Sequence, residues 1–378
     1  MSTMTTDRPA AAPRTARASG RARAPFLALG GFALLAGLDA ALMLLGVTAP
    51  VDAQQLPDLH GMLMVLGFVG TLISLERAVA LRHRLGFTAP GLLGLGAILL
   101  VSPAPVDVGK TALLLGSVAF VAVYVPLWRR QRDDAVLIQA FGAVLATGAC
   151  ALWLGGVDIP VLLPWLMGFV VLTIGGERLE LARLAMGAGA GTRLLMLSAG
   201  LVAGILAATL WPVVGYPLLG AALLALVGWL VRHDVARRTI AAAGIARFAA
   251  GCMLAGYFWL AVAGTTWLLG GPVVADGPRY DVVVHAVFLG FTISMIMAHA
   301  PVILPAVLRV PLPYHPAMVV ATVLLHLSLV LRLWIGDGRG VHLAWQVGGV
   351  LNEVALLGFI AVAVWSGVRS SRSRRGTR

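Results

Sequence analysis

From Ala24 to its C-terminus the chain is a succession of apolar runs about 20 residues long, the length that carries a helix across bilayer hydrocarbon. No stretch long enough for an aqueous domain interrupts them. Hydrocarbon offers backbone amides no water, so a crossing segment must satisfy its own hydrogen bonds, as a helix does. The runs predict twelve spans, at 25–47, 57–81, 86–103, 110–128, 134–154, 160–182, 193–211, 215–232, 245–270, 280–305, 316–336 and 342–368. The third, interrupted by Pro90, carries the weakest pattern. The expected fold is therefore all-α and integral to a membrane, and its first partner is the lipid bilayer. Composition agrees, with 60% hydrophobic and 12% charged residues, the latter about half the share of a soluble domain.

The net charge of +12 could suggest nucleic acid, but its distribution argues otherwise. Arginines cluster at Arg8 to Arg23, Arg77 to Arg84, Arg129 to Arg132, Arg178 to Arg193, Arg232 to Arg247, Arg309 and Arg369 to Arg378. Each cluster lies at a terminus or after an even-numbered span. The other loops hold only Lys110, Arg279, Arg332 and Arg339, beside several aspartates. That alternation is the positive-inside pattern of a multi-pass protein of a bacterial-type plasma membrane, with both termini cytoplasmic. Residues 1–24 and 369–378 read as basic, disordered cytoplasmic tails flanking a membrane domain over 25–368. Cys150 and Cys252 fall at different depths, which excludes a disulfide between them on this topology. Phosphate-binding loops, dinucleotide fingerprints, GxSxG and HExxH are all missing.

Three spans superpose without gaps. Span 2 reads LGFVGTLISLER over 66–77, span 6 MGFVVLTIGGER over 167–178, and span 10 LGFTISMIMAHA over 289–300. Each carries Gly-Phe, and nine positions after the glycine stands Glu76, Glu177 or His299. Matches at spans four apart predict three pseudo-repeats of four helices. This organisation resembles the catalytic subunit of haem–copper oxidases. Within that superfamily, spans 6 and 10, with LTIGGERLELARL and HAVFLGFTISMIMAHAPVILP, resemble the NnrS-type haem- and copper-associated membrane proteins.

An ionisable residue inside a span is a functional hypothesis by default. His60 opens span 2 and His285 lies early in span 10, both entered from the extracytoplasmic side, so they sit at matching depth. Two neutral imidazoles so placed can ligate one haem iron, with Gly61, Gly67 and Gly290 admitting a flat macrocycle or another helix. Alternatively, both bond to water or to backbone carbonyls. The oxidase resemblance implies the former, since there the low-spin haem is held by histidines on helices 2 and 10. His299, fourteen residues beyond His285, should return to the same helix face, but span 2 offers only Ser74 at that depth. His326, near mid-membrane in span 11, is a weaker candidate ligand for haem or copper, or a helix-interface hydrogen bond. His83, His233, His315 and His342 read as surface or structural groups. The resemblance also implies a copper centre from histidines on helices 6 and 7, yet spans 6 and 7 contain none. Met167, Met186 and Met196 are weak copper donors at best, so four-electron oxygen reduction has no visible machinery.

Glu76–Arg77 and Glu177–Arg178 can tie the repeats together or relay protons. Adjacent helical residues diverge by about 100°, so each glutamate should face an arginine of another unit in preference to its own neighbour. Glu353 is an isolated acid that can take part in proton transfer. The primary expectation is a membrane protein binding b-type haem between His60 and His285, serving electron transfer with a redox partner at the outer face. A role in nitric-oxide handling is implied by the resemblance alone, and bound copper is a further expectation. The alternatives are a proton-coupled secondary transporter using Glu76, Glu177, His299 and Glu353, or a non-catalytic assembly factor.

Overall fold

The computed structural model describes residue 20 and residues 22–376, apart from Asp52 and Asp276. The tail expected over residues 1–24 thus falls largely outside the described residues. Among the described residues, twelve helices are long and apolar enough to cross a membrane, and no strand occurs. They are α1 (Ala24–Leu44), α2 (Leu56–Leu81), α3 (Thr88–Val101), α4 (Val106–Gln131), α5 (Asp134–Leu154) and α6 (Ile159–Met186). The second half comprises α7 (Ala190–Leu210), α8 (Pro212–His233), α9 (Gly244–Gly270), α10 (Pro278–Leu308), α11 (Ala317–Asp337) and α12 (His342–Gly376). Pro90 lies in the first turn of α3, where its missing N–H breaks no helical hydrogen bond. The C-terminal segment differs from expectation, since α12 runs on to Gly376. Arg369 lies over the Trp365 ring at 5.3 Å, and the Ser371 hydroxyl bonds the Gly367 carbonyl at 2.9 Å, so the sequence carries helical support past residue 368.

The bundle is three groups of four. Within each group the first helix packs on the second and the third on the fourth, and α4 packs on α5 as α8 does on α9. The third junction between groups, α12 with α1, is sparse by comparison. The second helix of each group is innermost. Buried residues make up 72%, 78% and 61% of an apolar 18-residue stretch of α2, α6 and α10, against at most 56% in any other span. These are the spans that carry the Gly-Phe repeat.

The repeated glycine has a packing cause. A Cβ at Gly67 would lie 2.9 Å from the Cβ atoms of Ala33 on α1 and Ala97 on α3. At Gly168 it would meet Ile205 of α7 at 2.4 Å and Leu145 of α5 at 2.6 Å, and at Gly290 it would meet Trp259 of α9 at 2.4 Å. In each group the glycine admits flanking helices, as small residues do in membranes. At Gly67 and Gly290, therefore, the close neighbour is a helix and not a flat cofactor.

Two inner helices share a second feature. Residues Leu63–Gly70 of α2 and Ala286–Ile293 of α10 form π-helical segments in identical register about Gly67 and Gly290. A π segment shifts the phase of everything beyond it, and such segments are frequent at functional sites. Hence His285 and His299 do not share a face as uniform α-helix would require, because Ala286–Ile293 lies between them.

Candidate functional site

The loops after odd-numbered helices and the loops rich in arginine lie at opposite ends of the bundle, and each end has its own polar cluster. At the arginine-poor end a cavity of about 90 Å³ is lined by α1, α2, α6, α10, α11 and α12. That is below the about 300–1,000 Å³ of small-molecule and cofactor sites, so a macrocycle would enter only with these helices moved apart. Its walls are largely aliphatic, from Leu38, Met64, Leu163 and Val284 among others. Both His60 and His285 line it.

The two imidazoles are held alike. Nδ1 of His60 donates to the carbonyl oxygen of Gly37 on α1 at 2.8 Å. Nδ1 of His285 lies 3.0 Å from the Asp281 carbonyl oxygen and 2.9 Å from Asp281 Oδ1. In each ring Nδ1 is the bonded donor, and Nε2 has no protein partner among the described residues. Metal-ligating histidines are oriented in this way, by a carbonyl or carboxylate on the other ring nitrogen. Gly61 borders the cavity with only Ile159 nearby, at 3.8 Å from a would-be Cβ.

Asp281 is the hub of this end. Arg332 grips it with a two-pronged bond, Nε to Oδ2 and Nη2 to Oδ1, both 2.8 Å, and Trp345 Nε1 donates to Oδ2 at 3.2 Å. Paired, planar donors of this kind fix geometry as well as charge. The charge pattern alone places Arg332 in a loop, but it is buried inside α11, where Leu331–Asp337 is a third π segment. Sequence reasoning passed over Asp281. Its i,i+4 spacing to His285 was the available signal.

The arginine-rich end holds Glu76, Arg77, Glu177, Arg178 and His299, in two networks that cross between groups. Arg77 donates to Gln139 at 3.1 Å, to Glu180 at 2.9 Å and to Glu76 at 2.6 Å, with Glu177 at 3.9 Å. The pairing of Arg77 with its own neighbour departs from the expectation for adjacent helical residues. Arg178 instead ignores Glu177. Its Nε and Nη2 bind Asp234 at 2.8 and 2.9 Å, and its Nη1 donates to Nε2 of His299 at 3.0 Å. Tyr257 also donates to Asp234, at 2.6 Å. Burial pushes the Asp234 carboxyl up, yet Arg178, Tyr257 and the Ala236 N–H outweigh it and hold the group below its ordinary value.

The weaker candidates lie elsewhere. His326 accepts from Trp259 Nε1 at 3.0 Å and does not line the cavity. Its Nδ1 lone pair is committed to that helix-interface bond and is not available to a metal. Met167 and Met186 are buried while Met196 is 69% exposed, so the three do not share one buried site. Among the described residues no three His, Cys, Asp or Glu side chains are grouped to hold a metal ion. Glu353 lines the histidine cavity, and its Oε1 is buried without a partner.

One family model, described as a domain of unknown function (DUF8744), matches residues 23–368. No curated protein and no solved structure matches the chain.

Proposed function

The chain belongs to the DUF8744 family, and we propose that it is a haem-binding membrane protein in which His60 and His285 hold one b-type haem. The observation that carries this reading is the shared cavity, where both imidazoles have Nδ1 anchored and Nε2 unpartnered. Bound there, haem would supply reversible one-electron chemistry or contact with a small gas. The chain's own residues do the rest. Gly37 and Asp281 fix tautomer and ring orientation, and Arg332 and Trp345 immobilise Asp281. Aliphatic walls from α1, α2, α6 and α10 exclude water and favour a porphyrin face.

The resemblance to NnrS-type proteins supports a role in nitric-oxide-related stress or in electron transfer. By the positive-inside rule the arginine-rich end faces the cytoplasm of a bacterial-type plasma membrane, which puts the histidine cavity near the outer surface. A redox partner then approaches from that side.

A visible spectrum of detergent-purified protein from haem-replete cells tests the reading. A Soret band is expected, and it should vanish in both His60→Ala and His285→Ala while persisting in His326→Ala. A folded but colourless wild-type protein would overturn it.

A further inference from the structure

Among the described residues only three besides glycine adopt a positive φ, and all are arginines: Arg82 at 60°, Arg132 at 47° and Arg309 at 55°. Each stands just past the C-terminus of an even-numbered helix, α2, α4 or α10. Glycine takes this left-handed cap without a Cβ penalty and is its usual occupant. An arginine held there against strain points to an interaction that glycine cannot make.

Two of these helix ends are built alike. At the end of α2 the guanidinium of Arg130, from α4, donates at 3.3 Å to the Leu81 carbonyl, on the peptide that joins Leu81 to Arg82. At the end of α10 the guanidinium of Arg23, which precedes α1, donates at 2.8 Å to the Val307 carbonyl, close to Arg309. Burial and then the Arg309 charge both push the Arg23 guanidinium below its ordinary value. The last carbonyls of a helix lack partners, which accounts for one N–H of each guanidinium and leaves the other donors over. None of Arg23, Arg82, Arg130 and Arg309 forms an ion pair among the described residues. The loops over 82–87 and 309–316 contain no acid, whereas Arg132 is followed by Asp133 and Asp134. Each acid-free loop also presents an aliphatic side chain, Leu85 at 69% and Val310 at 46% exposure. Both loops adjoin the start of α1, where Arg23 reaches α10 and Phe26 packs on Phe87 with ring centroids 5.4 Å apart.

Paired guanidinium groups without carboxylates, set beside exposed aliphatic groups, match a ligand that joins a phosphate to hydrocarbon. We propose that Arg82 with Arg130, and Arg23 with Arg309, bind the headgroup phosphates of anionic phospholipids in a rim around the start of α1. Such basic pockets at the membrane surface gain from the negative charge of the lipid as well as from its phosphate oxygens. The rim lies at the opposite end of the bundle from the histidine cavity, so it stands with or without haem.

Melting of the purified full-length protein in neutral detergent, with and without added lipid, tests this. Phosphatidylglycerol should raise the melting temperature, the rise should shrink at high salt, and phosphatidylcholine should not match it. Arg82→Gly combined with Arg309→Gly should melt no lower than wild type without lipid, since strain is relieved and no ion pair is lost. The same variant should lose about half or more of the lipid-induced rise, as should Arg23→Gln combined with Arg130→Gln. Arg232→Gln combined with Arg238→Gln, exposed arginines of the same end outside both pairs, should keep the rise. If a double variant fails to fold, single Arg82→Gly and Arg309→Gly proteins should each retain fewer phosphatidylglycerol molecules than wild type in native mass spectrometry. An undiminished rise or full lipid retention in the paired variants would overturn the proposal. So would an equal loss in the Arg232 and Arg238 control, which would mark bulk charge, or equal stabilisation by inorganic phosphate, which would mark a free-anion site.

Discussion

At the scale of single residues, an arginine inside a membrane bundle is tolerated only where its charge is answered, and Arg77 shows how completely. Its guanidinium meets Glu76, Glu180 and Gln139 within 3.1 Å. Removing one partner of a buried ion pair leaves the other uncompensated, at a cost of about 3–5 kcal/mol. Arg77→Ala should therefore lower thermal stability in detergent severely, whereas Arg82→Ala, outside these pairs, should leave it nearly unchanged. Asp234 supplies a pH dependence. Its carboxyl is held below the ordinary value, so the stability it contributes is complete above about pH 4 and fades as pH falls further. Unfolding scans from pH 7 to pH 3 should show that loss, and Asp234→Asn should be less stable at pH 7 with a flatter acid limb. His60 and His285 could be singled out from sequence because imidazoles at the ends of apolar spans are conspicuous. Asp281 offered only its i,i+4 spacing to His285, and Asp234 offered nothing, since an acid near a helix end reads as ordinary solvation until a distant arginine folds onto it.

At the scale of elements, the sequence conceals the π segments entirely. LMVLGFVG over 63–70 and AVFLGFTI over 286–293 are uniformly apolar, and nothing in their composition separates i→i+5 from i→i+4 bonding. Their effect is large, because each sets the rotation of its histidine relative to the polar groups at the arginine-rich end. Deleting Val65 should restore α-helical phase in α2 and turn His60 away from the cavity. The expected result is a folded protein with the Soret band lost, checked by spectrum and size-exclusion profile together. The glycines are better behaved, since three aligned Gly-Phe pairs were legible and each proves to be a contact between helices. Gly290→Leu should cost about 1–3 kcal/mol or more by overpacking against Trp259, seen as a lower melting temperature.

For the whole molecule, alternating loop charge and the three-span repeat were enough to reach twelve helices in three fours. Loop lengths and hydropathy give no sign that one of the junctions between groups is sparse. Orientation is testable because the native thiols are silent, Cys150 and Cys252 each being 1% exposed. Asp107→Cys, after an odd-numbered helix, should react with an impermeant maleimide on intact cells. Thr192→Cys should react only after permeabilisation.

The weak junction joins the first helix made to the last. Because α1 and α12 both wall the histidine cavity, the pocket is still missing a side while every earlier helix is already threaded into the bilayer. The cavity therefore gains its last wall only when α12 closes against α1.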